Sequence, residues 1–469
     1  MMKTTTMMTW LLLLTLGLLP TGLFAAERDT ASYRNDGHDM TFADKDEKSE
    51  EATNDEAEKS SDDDAEEEDD EEKEKDEYLL IKNAVIHTVS QGDLYHHHIL
   101  AKNGKIIEIN TEIDVPEGAE EIDADGFHVY PGLVAVRSGS VLAGRNPGDN
   151  TDVFSLQQAI ALAGGITTAV SDNTAANLTF GSIDDIVIKS ELFERLRYST
   201  NDPGSRRQIR ADFEKVRQYL RDLEIYRDKK KTNPDEEEPD KQWLRGKYKK
   251  YLSLLKGEKV ALFAANQRND ILGVCRFVEQ FGLRAVISGA VEGWTCAGEM
   301  ARAGVGAIVT PRQRSAKNDR SNQPSGSSIE NAAILHQHGV RIAVIPGNSS
   351  ISLWGLAGRD LLQLNMEAAF AVRGGLSEQA ALESITLNPA RMLGIDHRVG
   401  SIEVGKDANF AITDGDMLHY MTHTRWAIVN GRVAYDKQKD TLYSHIRKDG
   451  DLDAPPPDDY WPRRLGDGL

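Results

Sequence analysis

From Tyr78 the chain alternates apolar and polar residues in short runs. YLLIKNAVIHTV, HHHILAKNGKIIEI and EIDADGFHVYPG carry the period of two that sends successive side chains to opposite faces of a strand. Asn103-Gly104, set between two such runs, predicts a two-residue hairpin turn, because both residues tolerate positive φ. A matching block closes the chain: VGSIEVGKDANFAIT, then RWAIVNGRVAYD with its own turn at Asn430-Gly431. The two blocks predict a small composite β-sandwich built from residues 78–130 and 399–450.

Between them the rhythm changes. Short runs of branched residues (GLVAV, GITTAVSD, IDDIVIK, KVALFAA, LRAVISGA, GAIVTP, VRIAVIPG) alternate with longer amphipathic stretches rich in Ala and Leu. Alternation of this kind predicts an α/β fold with a parallel sheet, and its number of repeats predicts a (β/α)8-type, TIM-like barrel over residues 131–398. Residues 190–256 interrupt it with a charged helical insert broken at NPDEEEPD, either a solvated hairpin or a lid over the barrel mouth. The Pro-rich tail, 451–469, is expected to lie extended.

The N-terminus adds a third zone. Lys3, the apolar run Trp10–Leu19, Pro20, Gly22 and Ala25-Ala26 have the layout of a signal peptide over residues 1–26. The run falls short of the ~20 residues of a bilayer span, so export to a periplasmic or extracellular space is expected, without a stable membrane span. The net charge of −21 belongs mostly to Asp44–Glu77, where 21 acids face 5 lysines. Residues 27–77 therefore read as a self-repelling disordered linker, with loose binding of calcium or a basic partner as the alternative. No basic stripe offers itself to nucleic acid. Cys275 and Cys296 are expected to be two buried thiols.

Local text then narrows the class. DADGFHVYPGLVAVRSG, GGITTAVSDNTAANLTFGSIDDIVIK, VALFAANQRNDILGVCRFVEQFGLRAVISGAVEGW and SEQAALESITLNPARMLGIDHRVGSIEVGKDANFAITDGDML resemble the amidohydrolase superfamily, in particular its imidazolonepropionase-like, exported branch. In the last stretch Asn388 is expected to cap a helix opening at Pro389, with Gly394 closing it. The resemblance implies hydrolysis of non-peptide or cyclic amide C–N bonds by water activated on divalent metal such as zinc. It also implies ligands at strand ends: His-x-His on the first, a lysine or acid on the fourth, a His on each of the fifth and sixth, an Asp on the eighth.

At those positions this chain reads Arg137-Ser138-Gly139, Ala264, Ser288-Gly289-Ala290, and Gly347 or Asn348. None is an imidazole or a carboxylate, and no histidine lies between His128 and His336. No metal and no other cofactor is therefore expected. His336-Gln337-His338 ends a helix on the wrong face, His96-His97-His98 lies on a strand, and Lys189 is expected in a salt-bridging or surface role.

Candidate binding residues at the mouth are Arg137, Asn173, Asn266, Arg268, Trp294, Arg312 and Asn348, with Asn177 beside them. Arginine forks there suit a carboxylate, so a small-molecule amide or anion is the expected ligand, and a homo-oligomer stays open. Three functions compete: a catalytically degenerate amidohydrolase, a metal-free hydrolase with Glu292 as base and Arg137 or Arg312 on the oxyanion, and a non-catalytic binding or scaffolding protein.

Overall fold

A computed structural model describes residues 76–319, 322–352 and 360–439. The signal peptide, nearly all of the acidic linker and the Pro-rich tail lie outside those residues. In chain order the strands are β1 (Tyr78–His87), β2 (Asp93–Lys102), β3 (Lys105–Asn110), β4 (Glu120–Asp123), β5 (His128–Pro131), β6 (Leu133–Ala135), β7 (Ile166–Ser171), β8 (Thr174–Asn177), β9 (Val187–Lys189), β10 (Phe193–Leu196), β11 (Val260–Ala265), β12 (Ala285–Gly289), β13 (Gly306–Val309), β14 (Ile342–Val344), β15 (Phe410–Thr413), β16 (Thr424–Val429) and β17 (Arg432–Asp436). The helices are α1 (Pro147–Asn150), α2 (Leu156–Ala163), α3 (Pro203–Lys230), α4 (Lys247–Leu255), α5 (Arg268–Phe281), α6 (Ala297–Arg302), α7 (Asn331–Gln337), α8 (Leu364–Arg373), α9 (Glu378–Ile385) and α10 (Leu387–Leu393).

Both ends of the folded body do share one structure, but it is a single hydrogen-bonded sheet and not two facing ones. Its order is β17-β16-β15-β5-β1-β2-β3, with β4 also on β1. Leu79, Ile81, Ile99, Val129, Phe410, Ile412 and Ile428 bury its apolar face. Both Asn-Gly turns form as read, at φ 48° and 80° for Asn103-Gly104 and 49° and 72° for Asn430-Gly431. The turns also abut: a Cβ on Gly104 would stand 3.1 Å from the Asn430 carbonyl oxygen, so Gly is required there twice over.

The central strands depart from an eight-stranded ring. β10-β11-β12-β13-β14 form one parallel sheet, and β6-β7-β8-β9 a second, in which only β6 and β7 run parallel. The sheets share an interior, where Val134, Val170, Phe193, Val260, Val286, Ile308 and Ala343 pack with Ala390, Met392 and Leu393. Loops bridge the sheets by hydrogen bonds instead of strand pairing. The Gly139 amide donates to the Ser349 carbonyl at 2.9 Å, and the Asn173 amide group both donates to and accepts from the Phe193 backbone.

Three expectations shift. IDDIVIK supplies only the short, largely exposed β9, an antiparallel neighbour of β8. A strand missed in the charged insert, β10, takes its place beside β11. The helix expected from Pro389 starts at Leu387, with Thr386 at the cap position; Pro389 is its third residue, where the N–H has no helical partner anyway. Gly394 ends it in the left-handed conformation, as read. The rest of the insert is the helical pair α3 and α4. Asp202 caps α3, and Phe213 on α3 packs edge-on against Phe277 of α5. That contact fixes the insert to the flank, and no residue of α3 or α4 lines the strand-end clefts.

Candidate functional site

The C-terminal ends of parallel strands are where loops from several strands converge. Here they enclose a cleft of about 440 Å3. Arg137 follows β6, Ala264 and Asn266 sit at the end of β11, and Ser288 and Gly289 end β12. Thr310, Arg312 and Arg314 follow β13, Gly347 follows β14, and Glu367 projects from α8. A second cleft of about 270 Å3 shares Arg137, Ala264, Ser288 and Ile308, and extends along Val170–Asn173 to Arg195. The positions that the amidohydrolase pattern assigns to metal ligands on the first, fifth, sixth and eighth strands therefore surround one space.

The charge in that space is cationic. The side chains of Arg137, Arg195 and Arg314 make no hydrogen bond or ion pair among the described residues. Burial, and then the like charge of Arg195, hold the Arg137 guanidinium below its usual pKa. Arg312 differs. Its Nε donates to Glu367 at 2.7 Å, its backbone N–H donates to the other Glu367 oxygen at 2.8 Å, and its guanidinium lies over Phe370. Glu367 is almost fully buried, so this pair is part of the wall, not a fork for a ligand.

Several expected residues are placed elsewhere. Glu292 lies outside both cleft linings; its oxygens accept from the Arg268 N–H at 2.8 Å and the Gly326 N–H at 2.7 Å. Trp294 belongs to the same cluster, its indole N–H donating to the Gly326 carbonyl, and Arg268 donates to Gln323. Glu292 is thus a clamp on the start of α5, where the cap residue Gln267 offers no side-chain bond. Asn348 accepts from the Ser350 N–H in its own turn. Asn177 is buried in an amide cluster with Asn409 and Asn430. Asn173 reaches the second cleft's edge but serves the Phe193 backbone. Arg137 and Asn266 line the strand-end cleft. Arg195 and Arg314 were missed; with β10 recognised as a strand, its alternation would have put Arg195 on Phe193's face.

This set of donors does not fit a divalent cation. A guanidinium, a methyl, a hydroxyl and a glycine stand where imidazoles and a carboxylate are needed. Among the described residues no three His, Cys, Asp or Glu gather as a possible metal site. Lys189 donates to the carbonyls of Leu393 and Gly394, capping α10. His336 and His338 are exposed at the end of α7, as read. Cys275 and Cys296 are free and buried, and burial raises their pKa to about 12 and about 11.

Comparison with known proteins agrees with this architecture. The sequence profile of the Amidohydrolase family matches residues 292–449. An imidazolonepropionase from Shewanella frigidimarina is 38% identical over 85 residues, 17% of this chain and 18% of that protein. A dihydroorotase from Streptococcus pneumoniae is 33% identical over 124 residues, 26% of this chain and 28% of that protein. The chain thus spans less than a third of the length of either relative. The crystal structure of an amidohydrolase from Thermotoga maritima superposes with a TM-score of 0.60 at 22% identity, covering 76% of this chain and all of that one. Over residues 292–449 the chain is similar to the Amidohydrolase family, and its fold is of the TIM-barrel type.

Among the described residues no helix is long and apolar enough to cross a membrane.

Proposed function

We propose that the strand-end cleft binds a small anionic ligand without a metal, on a fold whose named relatives hydrolyse C–N bonds. One observation carries this reading: Arg137 stands at the first-strand ligand position, open to the cleft, beside a second guanidinium and with no protein carboxylate bonded to it. A fixed cation of that kind is stabilised by an anion and repels a divalent metal. It cannot lower the pKa of a bound water as a metal does, so binding survives the exchange and metal-assisted hydrolysis does not. Export through the N-terminal apolar segment is part of the same proposal.

Hydrolysis of a C–N bond, the reaction kind of the matched relatives, is the second reading. In its metal-free form with Glu292 as base it conflicts with that carboxylate's two backbone partners.

The test is elemental analysis after chelation, with thermal-shift titration of acetate, succinate and inorganic phosphate against wild type and Arg137→Gln. We expect no stoichiometric zinc, manganese or iron, and an anion-dependent rise in Tm that Arg137→Gln removes. Retained metal, or metal-dependent turnover of an N-acyl amino acid or cyclic amide, overturns the proposal.

A further inference from the structure

The two clefts differ in lining, and each carries its own free guanidinium. Arg314 belongs to the larger one, together with the polar Asn266, Thr310 and Gln313. Arg195 belongs to the smaller one, whose walls include Val136, Val170, Leu196 and Leu262. Arg137 lines both and stands at their junction. The fourth arginine of the mouth, Arg312, is already neutralised by Glu367.

From this arrangement we infer that the ligand carries two anionic groups joined by a short apolar chain, one held between Arg137 and Arg195 and the other facing Arg314. This deepens the anion-binding reading and rests on it. The basis is charge matching: the three guanidiniums are exposed to the clefts and none is paired with a carboxylate of the chain. A monoanion placed at Arg137 leaves Arg314 with no carboxylate bonded to it, and Arg195 with only the unbonded carboxylate of Asp172 on the same lining. A dianion engages both, and each carboxylate–guanidinium contact is a charge-assisted hydrogen bond, the stronger kind. The linker of such a molecule crosses the shared wall of Ala264, Ser288 and Ile308, where two of the three side chains are apolar. Asp172 also lines the smaller cleft and makes no ion pair there; its charge selects against an anion bound deeper along that side.

The experiment is isothermal titration at fixed ionic strength with succinate, adipate and suberate, each against its monocarboxylate of equal chain length. Wild type, Arg195→Gln, Arg314→Gln and Arg137→Gln are compared, with thermal unfolding as the check that each variant folds; Arg195 and Arg314 are exposed, so little packing changes. We expect one dicarboxylate to bind at least about tenfold more tightly than its monocarboxylate. Arg195→Gln and Arg314→Gln each bring it down toward the monocarboxylate, whose own affinity depends on Arg137. If mono- and dicarboxylates bind alike and neither outer variant matters, the two-headed ligand is wrong while the anion site stands. If no anion binds, or Arg137→Gln changes nothing, the underlying reading fails with it.

Discussion

Glu292 separates a catalytic account of this protein from a structural one, and Glu292→Gln is the perturbation. Its carboxylate accepts two backbone N–H groups, from Arg268 at the first turn of α5 and from Gly326 in the loop beyond β13. Glutamine keeps one acceptor oxygen, but its NH2 must then face an N–H donor. One charge-assisted bond is lost, about 1.5–3 kcal/mol, and a part-buried N–H is left without a partner at about 1–3 kcal/mol. Loss of an anion from the N-terminus of α5 adds roughly 0.3–1 kcal/mol. Relaxation recovers part of this, so the expected destabilisation is about 2–4 kcal/mol. Chemical denaturation measures the total, and hydrogen exchange at the Arg268 and Gly326 amides locates it. Anion binding at the mouth should be unchanged, because Glu292 lines neither cleft. Unaltered stability together with lost amide hydrolysis would refute the reasoning and return Glu292 to the chemistry.

Three further outcomes follow from the packing. Burial raises the pKa of Asp212, but hydrogen bonds from Lys247, Gln208 and Tyr248 outweigh it and leave the value lowered. Such a carboxylate stabilises the α3–α4 contact above the ordinary value of about 3.9 and loses that contribution as pH falls through its lower folded value; limited proteolysis of the insert should accelerate there, and Asp212→Asn should flatten the dependence. With burial raising both thiols, Cys275 and Cys296 should resist a thiol reagent at pH 8 in the native state and react together only on unfolding; fast labelling of either in native protein contradicts the packing. Lys189→Met removes two bonds to the last carbonyls of α10 and should cost about 0.5–1.5 kcal/mol by thermal unfolding, with Lys189→Arg recovering part.

What the sequence revealed of the fold follows burial. LVA and VALFAA stand out because largely covered strands read as unbroken apolar runs, and ITTAVS because of its branched residues. FERL hides because Glu194, though buried, is charged; Lys250 on α4 and Lys259 before β11 neutralise it from more than fifty residues away. Only tertiary structure brings those lysines, so local text favoured a helix. The same blindness cost Arg195. Arg137 and Asn266 were legible because they directly follow strands whose limits were clear. Glu292 and Trp294 also follow a strand, but the chain turns at once through Gly293–Thr295, and neither residue lines the clefts.

A contrast within the molecule bears on the charge argument. The cleft beside the two Asn-Gly turns is larger, about 560 Å3, and also rich in ionic groups. There the protein supplies the partners itself: Lys105 and Arg398 hold Asp407, Arg398 reaches Asp185, and Arg432 forks onto Glu77. These charges are paired within the chain. At the strand ends only Arg312 receives this treatment. Like charges left unpaired at a cleft repel one another and attract an anion from outside the chain. The arginines at the mouth therefore stay open to an outside anion, as the proposed function requires, where those beside the turns are paired within the chain.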